Sequence, residues 1–305
     1  MSEPDKDKRV GFIGLGAMGA PMARQILKGG VKLTVFDVEC GQVQALVDAG
    51  AGAAASPKEL GAASDIVVCS LPHPDVLKEV VLNDDGLIQG LAAGCVVIDM
   101  STDGLEAVQA VGEALAGKGI RMVDAPVGKG PWAAEKGDLT ILMGGDREVC
   151  DGVEWLLEMM GSAIYYCGPL GCGQVVKLAN NLASCANMAV VAEAYALAAK
   201  GGADLGVLCE VMPQTAADSW QLRQTLNEKV LKGDFSPMFK LKLAQKDMKL
   251  IVEMAETLGA PADCAHAALN WYDRGAAAGH GERDWGAIIL ASNPELLTPD
   301  DGKGD

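Results

Sequence analysis

The sequence is poor in the residues that build metal centres and disulfide frameworks. It holds three histidines, and none has the spacing of a zinc ligand set, so no metal is expected. Nine cysteines are scattered, at 40, 69, 95, 150, 167, 172, 185, 209 and 264, with no CxxC pair. An odd, dispersed set argues against a disulfide scaffold and fits a reducing cytoplasm. Positive charge is scarce: 25 Lys and Arg face 41 Asp and Glu, a net −16, which argues against a polyanionic partner such as nucleic acid. It does not exclude a small anionic ligand, because local cations can dominate a cleft. No apolar run of 18 or more lacks polar residues, and the charged first ten residues carry no apolar signal core, so no membrane partner is expected. The polar tails, residues 1–8 and 298–305, are expected to fray. Aromatics make up only 4%. What is abundant is Ala and Gly, which suits helices packed closely on a sheet, and 305 residues suffice for two domains.

The most informative stretch is Val10-Gly11-Phe12-Ile13-Gly14-Leu15-Gly16-Ala17-Met18-Gly19. It reads as a strand, a glycine turn and the start of a helix, whose N–H groups and dipole favour an anion. Gly14 would permit the tight turn, Gly16 would let a pyrophosphate approach, and Gly19 would let helix and strand pack closely. Asp37 ends the next apolar run, 18 residues past Gly19. A carboxylate there would accept from the adenine ribose hydroxyls and repel a 2′-phosphate, which predicts NAD rather than NADP. Leu15, Ala17 and Met18 complete the loop. Leu71, Pro72 and Thr102, each just past a later strand, join the candidate cofactor contacts.

Strands are expected at Arg9–Ile13, Lys32–Phe36, Ile66–Ser70, Val96–Met100, Arg121–Ala125, Thr140–Met143 and Ala163–Cys167. Helical patterns lie between them, at Ala17–Gly29, Cys40–Ala49, Pro74–Leu82, Leu105–Ala116 and Arg147–Met160. The alternation predicts a doubly wound α/β sheet. Past Gly171 no strand pattern appears. Helices are expected at 173–200, Leu205–Met212, Trp220–Leu231, Lys240–Leu258 and Pro261–Gly275. The predicted architecture is a Rossmann domain over residues 1–168 and an α-helical substrate and oligomerisation domain over 169–305, joined by the long helix. Ligands in open α/β sheets bind beyond the carboxyl ends of the strands, so a cleft there is the expected site.

The long helix is apolar almost all round, which predicts burial on most faces. Yet Lys177, Asn180, Asn181 and Ser184 recur at i, i+3, i+4 and i+7 on one narrow face. Such a stripe is either a solvent-facing seam or a catalytic lysine with amides beside it. Ser101 and Thr102 follow a strand at its carboxyl end, where they either cap the next helix or touch cofactor and substrate. Trp132, Trp220 and Phe239 are candidate cleft or interface aromatics, with the core as their commoner place.

Taken in order, the motifs resemble those of the β-hydroxyacid dehydrogenases, the 3-hydroxyisobutyrate dehydrogenase-like family, across nearly the whole chain. They are the segment from Phe12 to Ala23, Asp99-Met100-Ser101-Thr102, Asp124-Ala125-Pro126-Val127, Gly168-Pro169-Leu170-Gly171-Cys172-Gly173 with Lys177 and Asn181, and Lys246-Asp247. The resemblance implies an NAD(P)-dependent oxidoreductase acting on the hydroxyl, or aldehyde, of a small acid. It implies Lys177 as general acid/base, Asn180 or Asn181 holding the substrate, Lys246 near the nicotinamide, and a homodimer or homotetramer. A free lysine titrates near 10.4, too high for an efficient base at neutrality, so burial or a second cation would have to lower it.

One motif departs from the family. Asp-Ala-Pro-Val usually continues Ser-Gly-Gly, whereas this chain has Gly128-Lys129-Gly130-Pro131. A cation between two glycines can gather an ammonium and backbone amides around an anion. The departure is similar to that of the 3-sulfolactaldehyde reductase branch, as are Gly233-Asp234-Phe235-Ser236-Pro237 and Arg283-Asp284-Trp285-Gly286-Ala287-Ile288. It implies a NADH-dependent reductase of 3-sulfolactaldehyde forming 2,3-dihydroxypropane-1-sulfonate, with Gly128 and Lys129 on the acid group. Succinic semialdehyde, 3-hydroxyisobutyrate and tartronate semialdehyde chemistry remain alternatives, as does a non-catalytic nucleotide-binding scaffold.

Overall fold

A computed structural model describes residues 7–294; the tails expected to fray lie almost wholly outside that range. The chain divides into two compact units, the first ending at Lys177 and the second beginning at Leu178. The long helix, Cys172–Lys200, runs unbroken through the division.

The first unit is a nine-stranded sheet. Its strands are β1 (Arg9–Ile13), β2 (Lys32–Phe36), β3 (Gly52–Ala53), β4 (Ile66–Cys69), β5 (Val96–Asp99), β6 (Arg121–Asp124), β7 (Val127–Gly128), β8 (Leu139–Gly144) and β9 (Gly161–Gly168). From β3 through β2, β1, β4 and β5 to β6 all pairings are parallel. Parallel strands with both faces covered read as continuous apolar runs. Ile66-Val67-Val68-Cys69 does so, and its residues alternate between two cores. Val10, Phe12, Val68 and Ile98 enter one, while Ile13, Val67, Cys69 and Val97 enter the other. This is the expected Rossmann architecture, and it brings the turns after β1, β4, β5 and β6 to one edge. There β8 pairs antiparallel with β6 and β7, Asp124 opposite Gly144 and Gly128 opposite Thr140, so the β7–β8 hairpin overhangs that edge. β9 adds on the other side of β8.

The second unit is helical, built from the rest of the long helix, Leu205–Val211, Leu241–Leu258 and Asp263–Ala277. Its core gathers Met188, Tyr195, Leu222, Met248, Tyr272 and Ile288. Two expectations need correction. The helix predicted over Trp220–Leu231 is a π-helical stretch, Gln221–Asn227, followed by a 3₁₀ turn, Val230–Lys232. Leu222 and Leu226 are buried four residues apart, a spacing that either winding satisfies. The long helix is also less buried than its composition implies, with Val190 64% and Leu197 75% exposed. By length and composition it would pass for a membrane span, but Leu178, Cys185, Met188 and Tyr195 join the core of this unit. All nine cysteines are free.

Candidate functional site

The turn after β1 is shaped for a close anionic ligand. Gly14 has φ +88°, and a Cβ there would strike the Ser70 carbonyl oxygen. A Cβ on Gly19 would strike the Gly14 carbonyl, so the helix can lie this near its strand only without a side chain. Gly16 differs. It is exposed, and a Cβ there would meet nothing within 4 Å. Its absence of side chain leaves open a space that the protein itself does not use. Leu15 is fully buried beneath the turn, and Ala17 and Met18 lead into the helix Gly19–Lys28. That helix has no side-chain cap and no acid in its first turn, which leaves its positive end for a ligand. A dinucleotide's pyrophosphate fits this cradle.

Asp37, half-buried past the end of β2, closes the turn from the other side. One carboxylate oxygen accepts from the Leu15 N–H at 2.5 Å and the other from the Glu39 N–H at 2.8 Å. Each oxygen retains acceptor capacity for a ribose hydroxyl.

The turns after β4, β5 and β6 are knitted together by buried polar groups. The Ser101 hydroxyl accepts from the Leu71 N–H at 2.8 Å, while the Ser101 N–H donates to Asp99. Pro72 is exposed beside Leu71. The following helix, Leu105–Ala116, is capped by neither Ser101 nor Thr102, because its N-cap is Gly104. Asp124, at the end of β6, accepts from the Gly171 N–H at 2.7 Å and the Gln174 N–H at 2.8 Å. Burial pushes its carboxyl above the ordinary range, against the pull of these N–H donors. The first turn of the long helix is thus tied to the sheet edge, and Lys177 stands one turn along from Gly173.

Lys129 is placed differently. It alone among the described non-glycine residues has a positive φ, +70°. Its ammonium donates to the Asp138 carbonyl at 2.7 Å and pairs with the Asp138 carboxylate at 2.8 Å. The Ser162 hydroxyl holds the other Asp138 oxygen. These partners keep the Asp138 carboxyl below the ordinary range. Gly128 beside it pairs with Thr140 across the hairpin. Two of the three ammonium donors are taken by Asp138, a partner that was invisible in the sequence, as was the Ser162 that holds it.

In the second unit, Asn181 is buried and donates from Nδ2 to Asp247 at 2.8 Å. A carboxylate only accepts, so this bond fixes the amide, and its Oδ1 faces Asn180 at 3.3 Å. Asp247 also pairs with the Lys246 ammonium at 3.3 Å. Helical-wheel geometry points Lys246 to solvent, but its side chain is mostly buried and lies against Asp247. Trp132 and Trp220 are exposed, whereas Phe239 packs edge-on against Trp285 at 5.8 Å.

The structure therefore groups the predicted residues in two sets. Gly14–Gly19, Asp37, Leu71, Pro72, Ser101, Thr102, Gly128, Lys129 and Lys177 belong to the first unit, and Asn180, Asn181 and Lys246 to the second.

A family model described as the NAD binding domain of 6-phosphogluconate dehydrogenase matches residues 9–168. A second, described as NAD-binding of NADP-dependent 3-hydroxyisobutyrate dehydrogenase, matches residues 171–291. The chain belongs to the β-hydroxyacid dehydrogenase family. It is 37% identical to a 3-sulfolactaldehyde reductase of Escherichia coli, with 92% of this chain and 94% of the relative covered. It is 35% identical to a 2-(hydroxymethyl)glutarate dehydrogenase of Eubacterium barkeri, with 93% and 95% covered. A solved 3-hydroxyisobutyrate dehydrogenase of Mycobacterium tuberculosis with L-serine superimposes with TM-score 0.85 at 27% identity, covering 92% of this chain and 98% of that one. As a β-hydroxyacid dehydrogenase the protein is an NAD(H)-using oxidoreductase of hydroxyl and aldehyde groups.

Proposed function

We propose that the protein is a cytoplasmic NADH-dependent reductase of a short aldehyde carrying an acid group, with 3-sulfolactaldehyde as the substrate and 2,3-dihydroxypropane-1-sulfonate as the product. The carrying observation is Lys129, a cation in a left-handed turn of the hairpin that overhangs the carboxyl edge, with one ammonium donor beyond the two held by Asp138. That donor and the neighbouring amides suit a tetrahedral sulfonate. The relative named for this activity supports the same reading.

Bound at the glycine cradle, the cofactor supplies a hydride to the aldehyde carbon. In this reading Lys177 delivers the proton to the carbonyl oxygen, and in reverse removes it from the alcohol. Asn181, its amide fixed by Asp247, offers Oδ1 to a hydroxyl or ammonium. Ser101 and Thr102 line the turn where cofactor and substrate meet, Gly128 and Lys129 take the acid group, and Asn180 and Lys246 assist. Replacing Lys177 with Ala is expected to cut turnover by roughly 10²–10⁴-fold while NADH still binds. Turnover near the wild-type level would assign the proton elsewhere.

The substrate is tested by NADH oxidation with 3-sulfolactaldehyde, succinic semialdehyde, tartronate semialdehyde and methylmalonate semialdehyde. The sulfonate should give the highest kcat/KM, and a carboxylate substrate at least tenfold better overturns the assignment. We also propose a homodimer or homotetramer. Val190, Leu197, Val207, Val211 and Leu258 are exposed on the second unit and support it, since exposed apolar side chains can mark interaction surfaces. Sedimentation as a monomer at micromolar concentration would exclude it.

A further inference from the structure

We propose that Gln174 is a positioning residue for the reaction, a pin that sets the Ser101–Gly104 turn in register with Lys177. The inference rests on the reading of Lys177 as the proton carrier and of Ser101 and Thr102 as lining the reacting groups.

Gln174 is fully buried. Its Oε1 accepts from the Asp103 N–H at 3.1 Å and the Gly104 N–H at 3.3 Å. Its Nε2 donates to the Ser101 carbonyl at 3.0 Å. Three of the four hydrogen bonds an amide can make are therefore spent on one turn of four residues. The backbone N–H of the same residue is spent on Asp124. One residue thus ties the helix to the ends of β5 and β6. Through Ser101, whose hydroxyl accepts from Leu71, the connection reaches the end of β4. Gln174 and Lys177 are neighbours at i and i+3 on the helix. Whatever fixes the first fixes the distance from the second to the Ser101–Thr102 turn.

Packing alone does not call for this residue. An apolar side chain of the same volume would fill the place without burying an amide. What the amide adds is direction, since it satisfies two N–H groups and one carbonyl that can be met together in one arrangement only. Coupled hydride and proton transfer is sensitive to such placement, and an error of about 1 Å can cost about 10²-fold in rate.

The test uses the full chain with Gln174→Met, which keeps the length and removes the polar atoms, and Gln174→Glu, which keeps acceptors but not the donor. Hydrogen exchange is followed over residues 101–104 without cofactor. NADH affinity is measured directly. kcat and the primary isotope effect with NADH deuterated at the transferred position are measured on whichever panel aldehyde the wild type reduces. In Gln174→Met, exchange should accelerate at least tenfold and kcat should fall by roughly ten- to a hundredfold. The isotope effect should rise, and NADH affinity should weaken by a clearly smaller factor than kcat falls. Gln174→Glu should show the same changes at smaller size, with kcat down at least threefold. A kcat within twofold of wild type in either folded variant overturns the proposal. So does a kcat loss matched by an equal loss of NADH affinity, or exchange that does not accelerate. If Gln174→Met does not fold, Gln174→Glu decides on the same readings. A wild type that reduces none of the aldehydes defeats the substrate reading, and the exchange measurement still judges the pin.

Discussion

The turn at residues 14–19 and the turn at residues 128–130 both stand at the carboxyl edge of the sheet, and they hold their positive character in different currencies. In the first it comes from backbone. Glycines clear the space, the helix end has no cap, and the nearest carboxylate, Asp37, is engaged with Leu15. In the second it comes from one side chain, and that side chain is already bound to Asp138. A cradle made of backbone is indifferent to its neighbours' identities and suits the part of a ligand shared by a whole family. A cation tethered to a neighbour can be retuned by changing the neighbour, which suits the part that varies between branches.

The comparison can be broken at four points. The largest effect is expected at Gly16. Gly16→Val adds bulk where no protein atom lies within 4 Å, so the melting temperature should hold while NADH affinity falls about a hundredfold, the worth of one or two charge-assisted hydrogen bonds. Calorimetric titration and thermal melts check both halves, and a joint loss would make Gly16 a folding residue instead. Next is Lys129→Ala, which should raise KM by roughly ten- to a hundredfold with a smaller change in kcat. Asp138→Ala serves as its control. If both variants only shift the melting temperature slightly and leave KM alone, the pair is an ordinary surface ion pair.

A smaller effect is expected at Asp37. Asp37→Asn should narrow the preference for NADH over NADPH several-fold, read as the ratio of the two kcat/KM values. A wild type using NADPH as well as NADH would remove the premise. The smallest effect concerns pH. Burial raises Asp124 above the ordinary carboxylate range, so the folded state binds its proton more tightly than the unfolded chain. The stability from that proton is present below the unfolded value and is lost as pH rises through the folded one. Melts from pH 4 to 7 should therefore show a less negative slope for Asp124→Asn than for wild type. Equal slopes would mean that the N–H donors fully offset the burial.

Much of the first unit was legible because its determinants are local. Apolar runs flanked by turn residues gave the long strands to within a residue or two, and the glycine loop reads off its own spacing. β3 and β7 were not legible, being two residues each and defined only by their partners. The helix Pro57–Ala62 was missed although Ser56 caps it by accepting from the Glu59 N–H and Glu59 reaches back to the Ala55 N–H, a Ser-x-x-Glu signal that was present in the sequence. At the site, identities were readable but pairings were not. Lys129 with Asp138 spans a turn, Asn181 with Asp247 spans 66 residues, and Gln174 reaches back about 70 to Asp103 and Gly104. Nothing in a residue's own neighbourhood reports such a contact.

The left-handed backbone at Lys129 has a consequence for anyone who would stabilise this protein. A side chain in that region costs about 1 kcal/mol or more, and glycine or asparagine would relieve it. Selection for heat resistance alone would therefore draw position 129 toward glycine. The surviving enzymes would be sturdier and would have discarded the group proposed to read the acid end of the substrate. Lysine at this position is a choice held against the backbone's own preference, so libraries built for robustness should leave residue 129 out.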